Sequence, residues 1–130
     1  MNLARGAALV LAAAPLAACA RDTMLLESDI PLPRGMTTVR SADIRRSAGE
    51  VTGGTFLLAG DVPDARSSVD LAATRFGVHG WTLARVEGDA DMASAWFTKD
   101  ARSASLMLRR RGLEPVMSTG SLEVTTPAKP

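Results

Sequence analysis

The clearest pattern in the chain is an alternation of period two in its C-terminal half. From Arg102 to Arg109, Ala104, Leu106 and Leu108 alternate with Ser103, Ser105, Met107 and Arg109. From Met92 to Thr98, Ala93, Ala95 and Phe97 alternate in the same way with Ser94, Trp96 and Thr98. Alternation puts apolar side chains on one face of a pleated strand and polar ones on the other. Both segments therefore read as strands of an antiparallel sheet covered on one face. Trp81 to Val86 predicts a further strand. The turns Gly88-Asp89-Ala90-Asp91 and Lys99-Asp100-Ala101 are short enough to join all three as a meander.

Upstream the period lengthens to that of a helix. Val62, Ala65, Val69, Ala72, Ala73 and Phe76 fall within one stripe of about 100°. Asp61 is the expected N-cap, Pro63 and Asp64 suit a first turn, and Gly77 is the expected stop, with Val78 its hydrophobic follower. Leu71 falls in the middle of the polar face. Before the helix, Thr55 to Ala59 is apolar on both faces and predicts a strand that is central or covered on both sides. Met36 to Arg40 reads as a short strand, and Ser41 to Val51 is weakly patterned. Gly49 and the Gly53-Gly54 pair read as turns, and Pro31 and Pro33 as an extended entry. Leu122, Val124 and Thr126 would add an edge strand. The sum is a two-layer α+β domain, with one helix on an antiparallel sheet of about four strands in β-α-β-β-β order. Phe76 should lie between the layers, facing Phe97, Leu106 and Leu108.

The first residues follow a different rule. Met1 to Arg5 carries one positive charge, and Gly6 to Leu16 is almost wholly apolar. That run is about a dozen residues, short of the ~20 that a spanning helix needs. Its parts are those of a secretory leader. The leader ends in Leu16-Ala17-Ala18-Cys19, which holds the only cysteine of the chain. These four residues resemble the lipobox of bacterial lipoprotein signal peptides. The resemblance implies removal of residues 1–18 and attachment of a diacylglycerol to the Cys19 sulfur, usually with an N-acyl chain as well. Ala20, where the enterobacterial pattern has Asp to retain a lipoprotein in the inner membrane, implies the outer membrane in a host that has one. The other reading is an ordinary leader cut nearby, with Cys19 incidental. On the first reading, residues 19–29 are a tether, 30–126 a single domain and 127–130 a loose end.

Composition narrows the function. Arg5 is the leader's only charge, and without it 14 basic side chains balance 14 acidic ones. A balanced, dispersed charge argues against a dedicated nucleic-acid binder. The Pro31-to-Gly35 entry, the strand ending at Gly60-Asp61, the helix and the Gly80-Trp81 pair together resemble small bacterial envelope lipoproteins of unassigned function. The similarity covers residues 31–109 and implies a β-α-β-β core.

Chemistry is sparse. His79 is the only histidine, there is no tyrosine, and no second cysteine accompanies Cys19. Asp89 and Asp91 lack the remaining ligand spacing of a calcium loop. Ser47, Ser67 and Ser68 have no nucleophile-elbow context. Arg109-Arg110-Arg111 reads as a strand end in water, or as a contact for anionic lipid head groups. The expectation is a non-catalytic protein without metal or cofactor, bound to the membrane through Cys19. Trp96 and Met107, with Arg109 at the rim, would meet an envelope protein partner. The alternative is a module binding a small ligand or lipid on the same sheet face.

Overall fold

The computed structural model describes residues 23–127. The elements are β1 (Met36–Ser47), β2 (Glu50–Gly60), α1 (Ala65–Val78), β3 (Thr82–Gly88), β4 (Met92–Lys99), β5 (Arg102–Arg109) and β6 (Ser118–Thr125). The strands form one six-stranded sheet in the order β1-β2-β6-β5-β4-β3, with every neighbouring pair antiparallel. Among the described residues the fold is α+β, with one α-helix packed on the sheet.

The strand count and order differ from the sequence reading at both ends. β1 and β2 form a long hairpin closed by Ala48 and Gly49, both at positive φ (52° and 83°). This is the local geometry that two-residue hairpin loops favour. From Val39 onward β1 is exposed, so it has no buried face to impose alternation. Gly53 and Gly54 are not a turn but lie inside β2, where the Arg45 side chain crosses Gly53. β2 is covered on one face only: Phe56 and Leu58 are buried while Leu57 is 41% exposed. β6 is central, not an edge. Leu122 stands opposite Phe56 on one side and Leu106 on the other.

The helix face is as the stripe predicts. Val62, Ala65, Val69, Ala72 and Phe76 are buried, with Ala73 partly so. The helix ends differ. The N-cap is Asp64, not Asp61: its Oδ1 accepts the Ser67 N–H at 2.9 Å. The Asp61 N–H instead donates to the Gly35 carbonyl at 3.1 Å, tying the end of β2 to the chain entering β1. At the other end the helix passes through Gly77, and Gly80 at φ 90° takes the left-handed position. The Gly80 N–H donates to Gly77 O and the Trp81 N–H to Phe76 O. This is the Schellman arrangement, and its hydrophobic contact is made by Trp81 against Phe76, with ring centroids 6.0 Å apart. Val78 is 74% exposed and plays no such part. Phe76 also stacks on Phe97 of β4 at 4.0 Å, between the two layers.

α1 lies over β3, β4 and β5. The inner faces of β2 and β6 are buried as well, with Phe56, Leu58, Leu122 and Val124 at 0–1% exposure. They share one core with Leu25, Ile30 and Leu32 from the segment preceding β1. That segment doubles back on itself: Leu32 N donates to Thr23 O, Leu25 N to Ile30 O, and Met24 bridges Pro31. It forms a strap completing the helix layer. Within the stretch read as a tether over residues 19–29, Leu25 is 1% exposed and belongs to this core.

Candidate functional site

One face of the sheet carries α1 and the strap, and among the described residues nothing covers the other. Strand parity decides which side chains line the open face. β4 presents Met92, Ser94, Trp96 and Thr98 there, and β5 presents Ser103, Ser105, Met107 and Arg109, because their alternate neighbours are buried. Trp96, Met107 and Arg109 thus share the face, as the alternation predicts. They do not form one cluster. Trp96 lines a shallow depression with Ser103, Ser105, Glu123 and Thr125. Met107 and Arg109 line a second with Val39, Leu57, Thr119 and Ser121.

The two depressions differ in character. Trp96 is half-buried and carries the Arg85 guanidinium 4.1 Å from its ring centroid. Such a stack fixes a long side chain over an aromatic face. The second depression is more apolar, because Leu57 and Val39 are 41% and 62% exposed. Val39 reaches this face through a bulge in β1 between Thr38 and Arg40. The Arg109 Nη2 lies 3.6 Å from the Met92 sulfur. Sequence reasoning found Trp96, Met107 and Arg109 but missed Val39 and Leu57. Leu57 was legible as the outward member of an apolar run, whereas Val39 depends on a bulge that leaves no local signature.

A second cluster binds the strap to the sheet. Arg102 is 4% exposed, on the inner face of β5. Its two terminal nitrogens donate to the two oxygens of Asp29 at 3.0 and 2.6 Å. It also donates to Val51 O and lies 3.5 Å from the Glu50 carboxylate. Its guanidinium stands 4.8 Å from the Trp81 ring centroid. Lys99 Nζ donates to Asp29 at 2.6 Å and to His79 O at 2.8 Å, and Trp81 Nε1 donates to Asp29 O. The Arg102 hydrogen bonds are the chief cause holding the Asp29 carboxyl at about 2. Lys99 adds to them, and together they outweigh the desolvation that would raise it. The same pairing raises the Arg102 guanidinium further. The Asp29 carboxylate, the Arg102 terminal nitrogens and Lys99 Nζ are all engaged with one another or with backbone carbonyls, the arrangement of a clamp.

The remaining singled-out residues occupy structural positions. The Asp89 side chain accepts the N–H groups of Met92 and Asp91 in a turn, and these bonds lower its carboxyl below the ordinary range. Arg110 pairs with Asp91 at 3.3 Å, and Arg111 N donates to Ser118 Oγ. His79 is the C-cap of α1. Among the described residues no group of three or more His, Cys, Asp or Glu side chains is placed to hold a metal ion. No described helix is long and apolar enough to cross a membrane. Cys19 and the stretch read as a leader, residues 1–18, lie outside the described residues.

No family model, curated protein or solved structure matches the chain.

Proposed function

We propose that the protein is a non-catalytic envelope lipoprotein, anchored through Cys19 and facing the periplasm. It serves there as an adaptor or accessory subunit whose uncovered sheet face receives a protein partner. The observation that carries this reading is the open face itself. It runs across six strands and presents Leu57, Val39, Met107 and the Arg85-capped Trp96 to solvent. Exposed apolar surface rimmed by polar side chains is the usual mark of a contact site. Both depressions open along the sheet, a shape suited to a partner surface more than to an enclosed small molecule. The anchor rests on Leu16-Ala17-Ala18-Cys19 at the end of an apolar leader.

The test is cross-linking in the native membrane followed by mass spectrometry. Replacing Trp96, Met107 and Arg109 together should abolish the cross-link to an envelope component and leave the circular-dichroism melt unchanged. All three side chains point away from the core, so the fold should tolerate their loss. A triple variant that keeps every cross-link would exclude this face as the binding surface.

A further inference from the structure

The strap fixes where an anchor would leave the domain. Thr23 O accepts the Leu32 N–H at 2.8 Å, and Leu32 O accepts Arg75 Nη2 of α1 at 2.8 Å. The first described residue therefore sits beside α1, in the layer opposite the open sheet face. Cys19 lies only four positions before Thr23. Even fully extended, four steps of chain reach on the order of 14 Å. Strap and helix together form a layer roughly 10 Å thick with its side chains, on the side of the sheet away from the open face.

The outer surface of α1 carries a second, independent feature. Leu71 is 65% exposed and Val78 74% exposed. With Arg75 they stand at i, i+4 and i+7, which places all three on one stripe of the helix. Arg34, at the turn into β1, lines the same shallow depression as Leu71 and Arg75. Arg34 is exposed beside them, while Arg75 is engaged with Leu32 O. Two exposed apolar side chains next to an arginine form a surface in which short apolar groups enter a head-group layer and the cation meets its phosphates.

We propose that the surface of α1 bearing Leu71, Val78, Arg34 and Arg75 rests on an anionic lipid bilayer. The tether holds it there, and the open sheet face is turned away from the membrane. This deepens the proposed function and rests on its lipid anchor. The short reach from Thr23 keeps the α1 layer within roughly a Debye length or two of the lipid surface, where anionic head groups attract arginine.

The acylated full-length mature protein offers a direct test. With the Cys19 sulfur in a thioether, an introduced cysteine is the only thiol. Leu71→Cys and Thr119→Cys would each be labelled with an environment-sensitive fluorophore and placed in phosphatidylglycerol-containing vesicles. Intact mass first reports acylation of Cys19. The probe at position 71 should shift to the blue and be quenched by spin-labelled lipid, while the probe at position 119, on the open face, should do neither. Arg34→Glu should reduce the shift at position 71, as should vesicles of phosphatidylcholine alone. If acylated protein gives no bilayer signal at position 71, or a stronger one at 119, the orientation is wrong while the anchor stands. A shift unchanged in phosphatidylcholine and in Arg34→Glu removes the head-group contact. An unacylated Cys19 overturns both the orientation and the anchored function.

Discussion

Asp29 couples its ionisation to the fold. Its carboxyl is held at about 2 by Arg102 and then by Lys99, against ~3.9 in an unfolded chain. A depressed carboxylate stabilises the folded state above the unfolded value and loses that contribution as pH falls through the folded one. About two units correspond to roughly 2–3 kcal/mol, lost between about pH 4 and pH 2. Asp29→Asn should destabilise the domain by about 3 kcal/mol, because it leaves the buried Arg102 without its bidentate carboxylate, with the Val51 carbonyl and the more distant Glu50 in its place. Urea titrations at pH 7, 4 and 2.5 should show the wild-type stability converging on that of the variant as pH falls. Half of this clamp was legible in the sequence. Arg102 shares the parity of Ala104, Leu106 and Leu108, so it had to point inward and to need a partner. Its partner lies 73 residues earlier, in a stretch without periodicity, and no local pattern announces a contact of that range.

At the scale of elements, α1 makes the sharpest predictions. Phe76 is fully buried, stacked on Phe97 and in edge contact with Trp81. Phe76→Ala should cost about 3–5 kcal/mol, the range for emptying an aromatic core site, read as a lowered midpoint in thermal or urea unfolding. Gly80→Ala should cost about 1 kcal/mol or more, because an L side chain at φ 90° is strained. Gly77→Ala, inside the helix with open space around it, should instead stabilise by up to about 1 kcal/mol. Comparing the two variants distinguishes the observed helix stop from the expected one. The stripe was plain in the sequence because burial imposes it on every turn. The ends were not, because Asp61 and Asp64 both flank Pro63 and either suits a cap. The β1–β2 hairpin was obscure for the opposite reason: its exposed side chains answer to solvent, which selects no period.

For the whole molecule, the layer opposite the open sheet face is built from two unlike parts, a helix and a strap. The α+β class follows from alternation and one helical stripe, both visible in the sequence. The place of β6 does not, since pairing order depends on which apolar faces match over long separations. Anchoring is the prediction at this scale. Metabolic labelling with a fatty-acid analogue should mark the protein, and Cys19→Ser should abolish the label. A label that persists in that variant would sink the anchor.

The central position of β6 also sets an order of events during folding. β1 and β2 can pair as soon as they exist, and so can β3, β4 and β5 with α1 across them. The two groups share no strand ladder, because Ser118–Thr125 lies between β2 and β5 along their shared length. The two halves become one sheet only when the last strand among the described residues inserts between two waiting edges. Until then both edges expose unpaired backbone, the condition under which strands recruit the wrong partner. Chains lacking the residues of β6 should accumulate as aggregates or be degraded, even though every residue of the helix and of the other five strands is present.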